Sequence, residues 1–596
     1  MEYRKNQIAE IEITDLSDNG EGIGKIDGYT LFVKDTVIGD RAKVRITKAK
    51  KNYGFGRLEE IIRPSRNRVE PVCCLHRKCG GCNLQSMSYE AQLAFKEKKV
   101  RESLTRIGGF DKEFIEGIMD PVIGTEHPLR YRNKAQFPVG YDNMRNVISG
   151  FYTSRTHDIV GCNECYLISE DCLEITKILT DHFNKYKIIP YDEKDGSGLV
   201  RHILIRKGFH TGEIILCLIL NSGEIEAPSK NQRSEGRISK KDEASGNNLN
   251  KDIIKIKQTN SPDNVRKFVP EYLPHQAELI ERVKAVKGVK SICVNLNNER
   301  TNVILGRKTV TLWGDDAIRD KLMDLEFEIS AESFYQVNPE QTEKLYGLVR
   351  EYAALSGKEE VWDICCGIGT ITLMLAKDAV RVHGIEIVPQ AIENAEKNAR
   401  INKISNSEFI CGAAEEILPE LKNGIRADVI VMDPPRKGMD ERALRVVADT
   451  EPEKIIYVSC DPATLARDLK FLAGCGYIPV RIRPVDMFPQ TIHVETVVSL
   501  SLKSDSPKIE VSMKPGEDSL YEPHDKGTYE KIKAYVLEKY GFKVSSLYIA
   551  QTKDKCGLDK RLNYNLSKKD DPHVPECPKE KEDAIMDAFR HFGLIE

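Results

Sequence analysis

No run of this chain reaches the ~18 consecutive apolar residues that a membrane-spanning helix needs. The opening residues, Met1-Glu-Tyr-Arg-Lys-Asn-Gln, are polar and lack the apolar core of a secretory signal. A cytoplasmic protein is expected. An excess of charge of one sign is also missing: 89 Lys and Arg against 92 Asp and Glu leave a net charge of −3. Overall charge therefore announces no nucleic-acid partner, and local clusters must carry any such case. Internal repeats are absent. Cysteine, by contrast, is plentiful. Sixteen thiols in a chain of this type point to reduced side chains, metal ligands or catalysis rather than disulfides.

At 596 residues several domains are expected, since single cores stop growing near ~250–300 residues. Residues 1–62 alternate as short strands separated by glycine turns, which suits a small β-barrel. Its second half crowds Arg41, Lys43, Arg45, Lys48, Lys50, Lys51 and Arg57 around Tyr53 and Phe55, a mixture suited to an RNA backbone with stacked bases or to a plain solvated strand face. Residues 63–127 hold a cysteine cluster and an amphipathic helix with Leu93, Val100, Leu104 and Ile107 on one face, stopped by Gly108-Gly109. Residues 128–330 read as a mixed α+β domain. Within it, 221–264 is polar and without period, a flexible surface insertion. From 331 to 503, strands and helices alternate as in a doubly wound α/β sheet, with helices opening at Thr370, Pro389 and Pro462. The last two strands can close an antiparallel edge. Residues 504–596 form a linker and tail with helical patches at Tyr529–Tyr540 and Lys579–Phe592 and no recognisable chemistry.

Two stretches of the doubly wound region carry chemistry. In Asp363-Ile-Cys-Cys-Gly-Ile-Gly-Thr370 a strand runs through a glycine turn into a helix, and Glu386 ends the next strand. The glycines let a ligand approach the backbone, and an acidic residue at that strand end can accept bonds from ribose hydroxyls. The third glycine of the dinucleotide fingerprint is missing, which favours S-adenosylmethionine, with Asp363 at its ammonium end. The second stretch is Ser459-Cys460-Asp461-Pro462, between an apolar strand and a helix with Asp461 as N-cap and Pro462 as first helical residue. The helix end lowers the thiol's pKa and Asp461 raises it, so the net direction is open. Asp433-Pro-Pro-Arg436 lies at another strand end. It is similar to the Asp-Pro-Pro-aromatic motifs of nitrogen methyltransferases, with arginine in the aromatic position; as a plain proline rim it would be structural only.

A thiol beside a cofactor pocket suits methylation of uracil carbon 5. That carbon is a poor nucleophile until a thiolate adds to carbon 6, and a base must later remove the carbon-5 proton. Cys460 meets the first need, and Glu495, in His493-Val-Glu495, is the candidate for the second. An exposed strand carboxylate and a buried small thiol are the structural alternatives.

Separately, Cys73, Cys79 and Cys82 are three closely spaced thiols around Gly80-Gly81, and Cys162 or Cys165 could supply a fourth. Thiolate-only ligation suits either a [4Fe–4S] cluster or zinc.

Taken in order, the barrel, the cysteine cluster, Phe334-Tyr-Gln336-Val-Asn338, the Asp363 turn, Asp433-Pro-Pro-Arg436, Ser459-Cys460-Asp-Pro-Ala-Thr-Leu-Ala-Arg467 and His493-x-Glu495 resemble the RNA (uracil-5-)-methyltransferase family across most of residues 1–503. The resemblance implies a class I S-adenosylmethionine-dependent methyltransferase fold behind a TRAM (OB-like) N-terminal domain. It implies Cys460 as nucleophile, Glu495 as general base, and Gln336, Cys365, Glu386 and Asp433 along the cofactor. Position 365 is usually aromatic in such proteins and is cysteine here. The resemblance also favours a [4Fe–4S] cluster on Cys73, Cys79, Cys82 and Cys165. TRAM domain and cluster together are similar to the branch that acts on 23S ribosomal RNA, with base flipping to reach the target. The expected partner is that RNA, the expected state a monomer. Alternatives are a tRNA uracil-5-methyltransferase, a nitrogen methyltransferase that needs no Cys460, and an iron–sulfur RNA-binding regulator with an inactive methylase fold.

Overall fold

Strict alternation builds the first element. Strands β1 (Ile8–Leu16), β2 (Gly22–Ile26), β3 (Tyr29–Val33), β4 (Arg41–Ala49) and β5 (Tyr53–Arg63) close into a barrel in the order β1-β2-β3-β5-β4. Leu31, Val33, Val44 and Ile46 are fully buried inside it, as period-2 strands demand. This is a computed structural model, and it describes residues 3–153, 156–223, 270–422, 426–502, 529–556, 577–592 and 594–595.

The cysteine segment leads into helix α1 (Tyr89–Arg106), capped by the Ser88 hydroxyl on the Ala91 amide, and short α2 (Lys112–Ile118). Val100 and Leu104 are fully buried as expected. Ile107 is the exception. It is the C-cap, past the last helical turn, and 44% exposed. Four residues with polar side-chain groups decide what α1 does. Lys96 is fully buried and its ammonium pairs with the fully buried Asp486. Asp486 also accepts the Tyr89 hydroxyl at 2.9 Å, and Lys96 donates to the Phe488 carbonyl at 3.0 Å. Gln92 exchanges two bonds of 3.0 Å with Gln490, and Lys99 donates to the Ile492 carbonyl at 3.3 Å. The helix thus holds the whole stretch 486–492. Removing one charge of a buried pair typically costs about 3–5 kcal/mol, because its partner stays buried alone.

A second sheet follows. Its strands are β6 (Lys134–Tyr141), β7 (Val147–Tyr152), β8 (Ile159–Gly161), β9 (Val200–Lys207), β10 (Ile214–Leu220), β11 (Val289–Leu296) and β12 (Lys308–Gly314), in the order β12-β11-β10-β9-β6-β7-β8. Helices α3 (Glu170–Lys185) and α4 (Gln276–Lys284) pack on it. The insertion expected at 221–264 lies outside the described residues beyond Gly223. A hairpin of β13 (Ala317–Leu322) and β14 (Leu325–Ser330) and helix α5 (Pro339–Ala353, capped by Asn338) lead onward.

The third sheet holds β15 (Glu360–Ile364), β16 (Arg381–Glu386), β17 (Ser407–Cys411), β18 (Val429–Met432), β19 (Lys454–Ser459), β20 (Tyr477–Val485) and β21 (Glu495–Leu502). Helices α6 (Thr370–Leu375), α7 (Pro389–Ile401), α8 (Ala414–Lys422), α9 (Glu441–Asp449) and α10 (Pro462–Gly474) are interleaved. Strand order is β17-β16-β15-β18-β19-β21-β20, the first five parallel and β21 antiparallel to both of its neighbours, β19 and β20. This is a doubly wound sheet with the antiparallel edge the sequence suggested. Helices α6, α7 and α10 begin at Thr370, Pro389 and Pro462, where a glycine turn and two prolines pre-set the first helical residue. The described residues from 529 onward belong to a second compact unit. In it α11 (Tyr529–Tyr540), α12 (Ser546–Lys555) and α13 (Lys579–His591) bury Ile532, Val536, Ile549, Ile585 and Phe589. Helix α12 was not foreseen. Its polar last turn, Thr552-Lys-Asp-Lys555, breaks the apolar period.

Candidate active site

Ligands of such sheets settle where the strand order reverses, outside the carboxyl ends of the strands. Here that point lies between β15 and β18, where Ile364 pairs with Met432 and the Asp433 amide donates to the Ile364 carbonyl at 3.2 Å. The residues just past these ends are Cys365 and Asp433. Cys365 turns through the left-handed region (φ 68°), followed by Gly367 (φ 56°) and Gly369 (φ 83°). A side chain at Gly369 would meet the Phe409 ring at 3.1 Å, whereas Gly367 opens onto free space. Glu386, at the end of β16, accepts the Gly367 amide at 3.2 Å on one oxygen and the Val388 amide at 3.0 Å on the other. The turn therefore orients the carboxylate, and each oxygen keeps lone pairs for a ligand.

Two further carboxyls stand behind it. Asp363 is fully buried and accepts the Thr372 hydroxyl at 2.5 Å; its other oxygen is buried without a partner among the described residues. Burial, then the neighbouring Glu386 charge, outweighs that bond and raises Asp363 to about 7. Asp433 is likewise raised to about 7, by burial first and then by Asp363. An unpartnered buried carboxyl oxygen beside an open glycine turn is the kind of place where an ammonium would be held. Gln336 is 8% exposed, in the loop before α5, and its carbonyl accepts the Asn133 side-chain amide at 2.9 Å.

The register of β19 on β21 explains how residues far apart in sequence meet. Ser459 pairs with Thr496, so Cys460 and Glu495 continue the two strands side by side. The Cys460 thiol is raised to about 12, chiefly by burial, then by Glu495; Arg436 opposes this and Asp433 adds to it. The helix end gives the sulfur little help because Asp461 takes the Ala463 and Thr464 amides, at 2.9 and 3.1 Å. Glu495 is 3% exposed and raised to about 8 by burial and by Asp433, against Arg436. His493 is lowered to about 4 by burial and then by Arg436, Lys99, Lys96 and Arg132, so it is neutral near pH 7.

Three of these groups escaped sequence reading. Arg436 stood out only as a departure from an aromatic motif, yet it is the cation that acts on Cys460, Glu495 and His493 together. Lys99 lies on the outer stripe of α1, where a solvated side chain is the ordinary reading. Tyr346 of α5 reads as core. Its hydroxyl bonds the Thr370 hydroxyl at 3.2 Å and feels Asp433, Asp363 and Glu495 at once. No local pattern marks it.

The cysteines gather at the edge of the second sheet. Cys79 bridges to Thr153, and the Gly80 amide donates to the Tyr152 carbonyl at 3.1 Å. The thiols of Cys73, Cys79 and Cys82 each lie within electrostatic reach of Cys165. Burial raises all three, Cys82 to about 12. Cys165 is lowered to about 7, first by a hydrogen bond from Cys162 and, against burial, with help from Arg132. Among the described residues no three Cys, His, Asp or Glu side chains stand at metal-holding geometry. Thiolates as a donor type are those that soft metal ions select.

The family model described as tRNA (Uracil-5-)-methyltransferase matches residues 299–503, and the TRAM domain model matches residues 4–58. An uncharacterized RNA methyltransferase of Clostridium tetani is 43% identical over 507 residues, covering 85% of this chain and 98% of that protein. One from Halalkalibacterium halodurans is 43% identical over 502 residues, covering 84% and 98%. Among solved structures, the Pyrococcus abyssi tRNA (uracil-54, C5)-methyltransferase in complex with S-adenosyl-L-homocysteine superposes with a TM-score of 0.60 at 26% identity, over 82% of this chain and 99% of that one. The chain belongs to the RNA (uracil-5-)-methyltransferase family, with a TRAM domain ahead of an S-adenosylmethionine-dependent methyltransferase fold.

Proposed function

We propose that this chain methylates carbon 5 of a uridine in 23S ribosomal RNA through a covalent bond between Cys460 and carbon 6. The observation that carries the reading is the register that sets Cys460 beside Glu495 at the mouth of the Asp363–Glu386–Asp433 turn. In this proposal Glu386, Asp433, Gln336 and the Cys365 backbone hold S-adenosylmethionine, which supplies an electrophilic methyl group. The Cys460 sulfur passes its proton to the adjacent Glu495 carboxylate and adds to carbon 6, and the electron pair of the 5,6 double bond moves onto carbon 5 and the adjacent carbonyl. Carbon 5 takes the methyl as its bond to the sulfonium sulfur breaks, the bonding pair staying on that sulfur and S-adenosyl-L-homocysteine being released. Glu495, once it has passed the thiol's proton to solvent, removes the carbon-5 proton, the double bond re-forms and the sulfur leaves as thiolate. Arg436 favours the Cys460 thiolate and the Glu495 carboxylate. The barrel and the second sheet serve as RNA-binding domains.

A tRNA target is the second reading, favoured by the extended likeness to the P. abyssi tRNA enzyme. One experiment separates the two. Incubate the enzyme and S-adenosylmethionine with 5-fluorouracil-substituted 23S fragments or tRNA. Fluorine cannot leave as a proton, so the adduct persists. A denaturation-resistant complex with 23S fragments, mapped to Cys460 and absent in Cys460→Ala, is expected. A complex with tRNA alone would reassign the substrate, and none with either would remove the covalent mechanism.

The same proposal gives Cys73, Cys79, Cys82 and Cys165 a [4Fe–4S] cluster that supports folding or RNA docking, since methyl transfer requires no redox step. Anaerobically reconstituted protein should hold iron and acid-labile sulfide, and Cys79→Ala should lose both along with RNA affinity. Zinc in place of iron, or normal folding and RNA binding without metal, would overturn this.

A further inference from the structure

The barrel spends three aromatic rings on its outer face. Strand β3 runs parallel to β5, with Thr30 opposite Tyr53 and Phe32 opposite Phe55. Leu31 and Val33, one position out of step, fill the core. Phe32, Tyr53 and Phe55 therefore form a patch on the other side of the pleat, outside the buried cluster. Their ring centroids lie 5.6–5.9 Å apart. They wall a surface hollow of about 480 Å³ whose other lining includes Asn19 and Asn52. Lys50 stands at its edge, 2.9 Å from the Tyr53 hydroxyl and 5.0 Å from that ring's centre. Three half-buried rings packed on one another outside the barrel's buried cluster make an apolar surface patch, the kind of feature that marks a binding site.

The position of the hollow supplies the second observation. Ser17 and Asn19 line it, and both belong to the turn that ends at Gly20. A side chain on Gly20 would meet Asn83 and Ile492 at 3.0 Å, so the other side of this turn touches the segment that leads to His493 and Glu495. Lys99 feels Asp18 of the turn as well as Asp461 and Arg436 of the catalytic cleft. One turn thus separates the ring patch from the cleft, with a lysine between them.

We propose that Phe32, Tyr53 and Phe55 form a stacking platform for an unpaired nucleobase of the RNA strand, close to the flipped uridine and distinct from the Cys460 pocket. The rings take the base faces, Asn19 and Asn52 offer donors and acceptors to the base edge, and Lys50 takes the phosphate. Base–aromatic stacking is worth ~1–3 kcal/mol per base and tolerates any sequence, so the platform adds grip rather than target choice. This inference rests on the reading of the chain as an RNA-modifying enzyme.

The test uses the full chain and a short single-stranded RNA carrying 2-aminopurine. Wild type is expected to quench the probe. In Phe32→Ala/Tyr53→Ala/Phe55→Ala quenching should vanish and affinity fall roughly ten- to a hundredfold. The slope of log affinity against log salt should hold, since no cation is removed. Tyr53→Phe should behave as wild type. Unchanged quenching and affinity in the triple variant would overturn the platform. If that variant unfolds, wild type irradiated with 5-iodouridine RNA decides: a cross-linked peptide within 29–57 is expected, and cross-links confined elsewhere overturn it. The fluorouracil adduct reports separately on Cys460. An adduct without platform effects leaves the function standing and removes the platform; quenching without an adduct does the reverse.

Discussion

Glu495→Gln is expected to trap the enzyme on its RNA. The methyl group would still reach carbon 5, more slowly at neutral pH because the Cys460 thiol must then ionise without its neighbouring acceptor, since the transfer itself uses the sulfur and not the carboxylate. The carbon-5 proton would then have no base, and the sulfur could not leave. Removing a general base typically costs 10²–10⁴ in rate, so turnover should fall by about that factor while a methylated protein–RNA complex builds up on denaturing gels with ordinary, unfluorinated RNA. Rapid turnover with no accumulated complex would sink the assignment. Glutamine matches the shape of glutamate, so loss of folding does not confuse the result.

The same substitution has a stability consequence of the opposite sign. Glu495 titrates near 4.5 in an unfolded chain and near 8 here, raised by burial and by Asp433. The folded protein holds that proton more tightly than the unfolded one. Below pH 4.5 both states are protonated and the carboxyl costs nothing. As pH rises from 4.5 through 8, the unfolded state ionises first and the fold loses stability. Glutamine never ionises. Glu495→Gln should therefore unfold at a higher temperature than wild type at pH 8, with a gain on the order of a few kcal/mol, and the gain should vanish near pH 4.5. A site that resists its own ionisation is what a base poised for a weak carbon acid requires.

Much of this could be read from sequence wherever the signal is local. The Asp363 turn, the prolines that open α7 and α10 and the Asp461 cap each work through the backbone of a few neighbouring residues. Carboxyl ends of strands could be placed for the same reason. What could not be read depends on pairing between distant segments. The order of the second sheet is one example. Another is the grip of α1 on residues 486–492, where a buried lysine on a mostly charged helix carries no sequence mark. Arg436, Lys99 and Tyr346 converge on one cleft from three elements, and only the fold brings their charges and hydroxyl together. Phe32 looked like any aromatic strand residue until its pairing with Phe55 set it on the outer face.

Cys460→Ala is expected to abolish methyl transfer, and Cys460→Ser to lower it by on the order of 10⁴- to 10⁶-fold, the range for removal of a nucleophile. Serine keeps the geometry but its hydroxyl ionises far less readily than a thiol. The thiol itself starts at a disadvantage, since burial and Glu495 hold it near 12. Direct ionisation at neutral pH is rare at such a site, so the proton needs a local acceptor. Glu495 is the adjacent one, and once it carries the proton its charge no longer opposes the thiolate, while Arg436 still favours it. On this account adduct formation requires that the Cys460–Glu495 pair lose one proton, and the ionisation near 8 governs it. The rate of adduct formation with fluorouracil RNA should climb with pH to about 8 and then level. In Glu495→Gln the acceptor is gone, and the rate should keep climbing past that point because only the thiol remains to ionise. Equal profiles for the two proteins would show that another group takes the proton. A Cys460→Ser enzyme methylating its RNA at the wild-type rate would remove the nucleophile altogether.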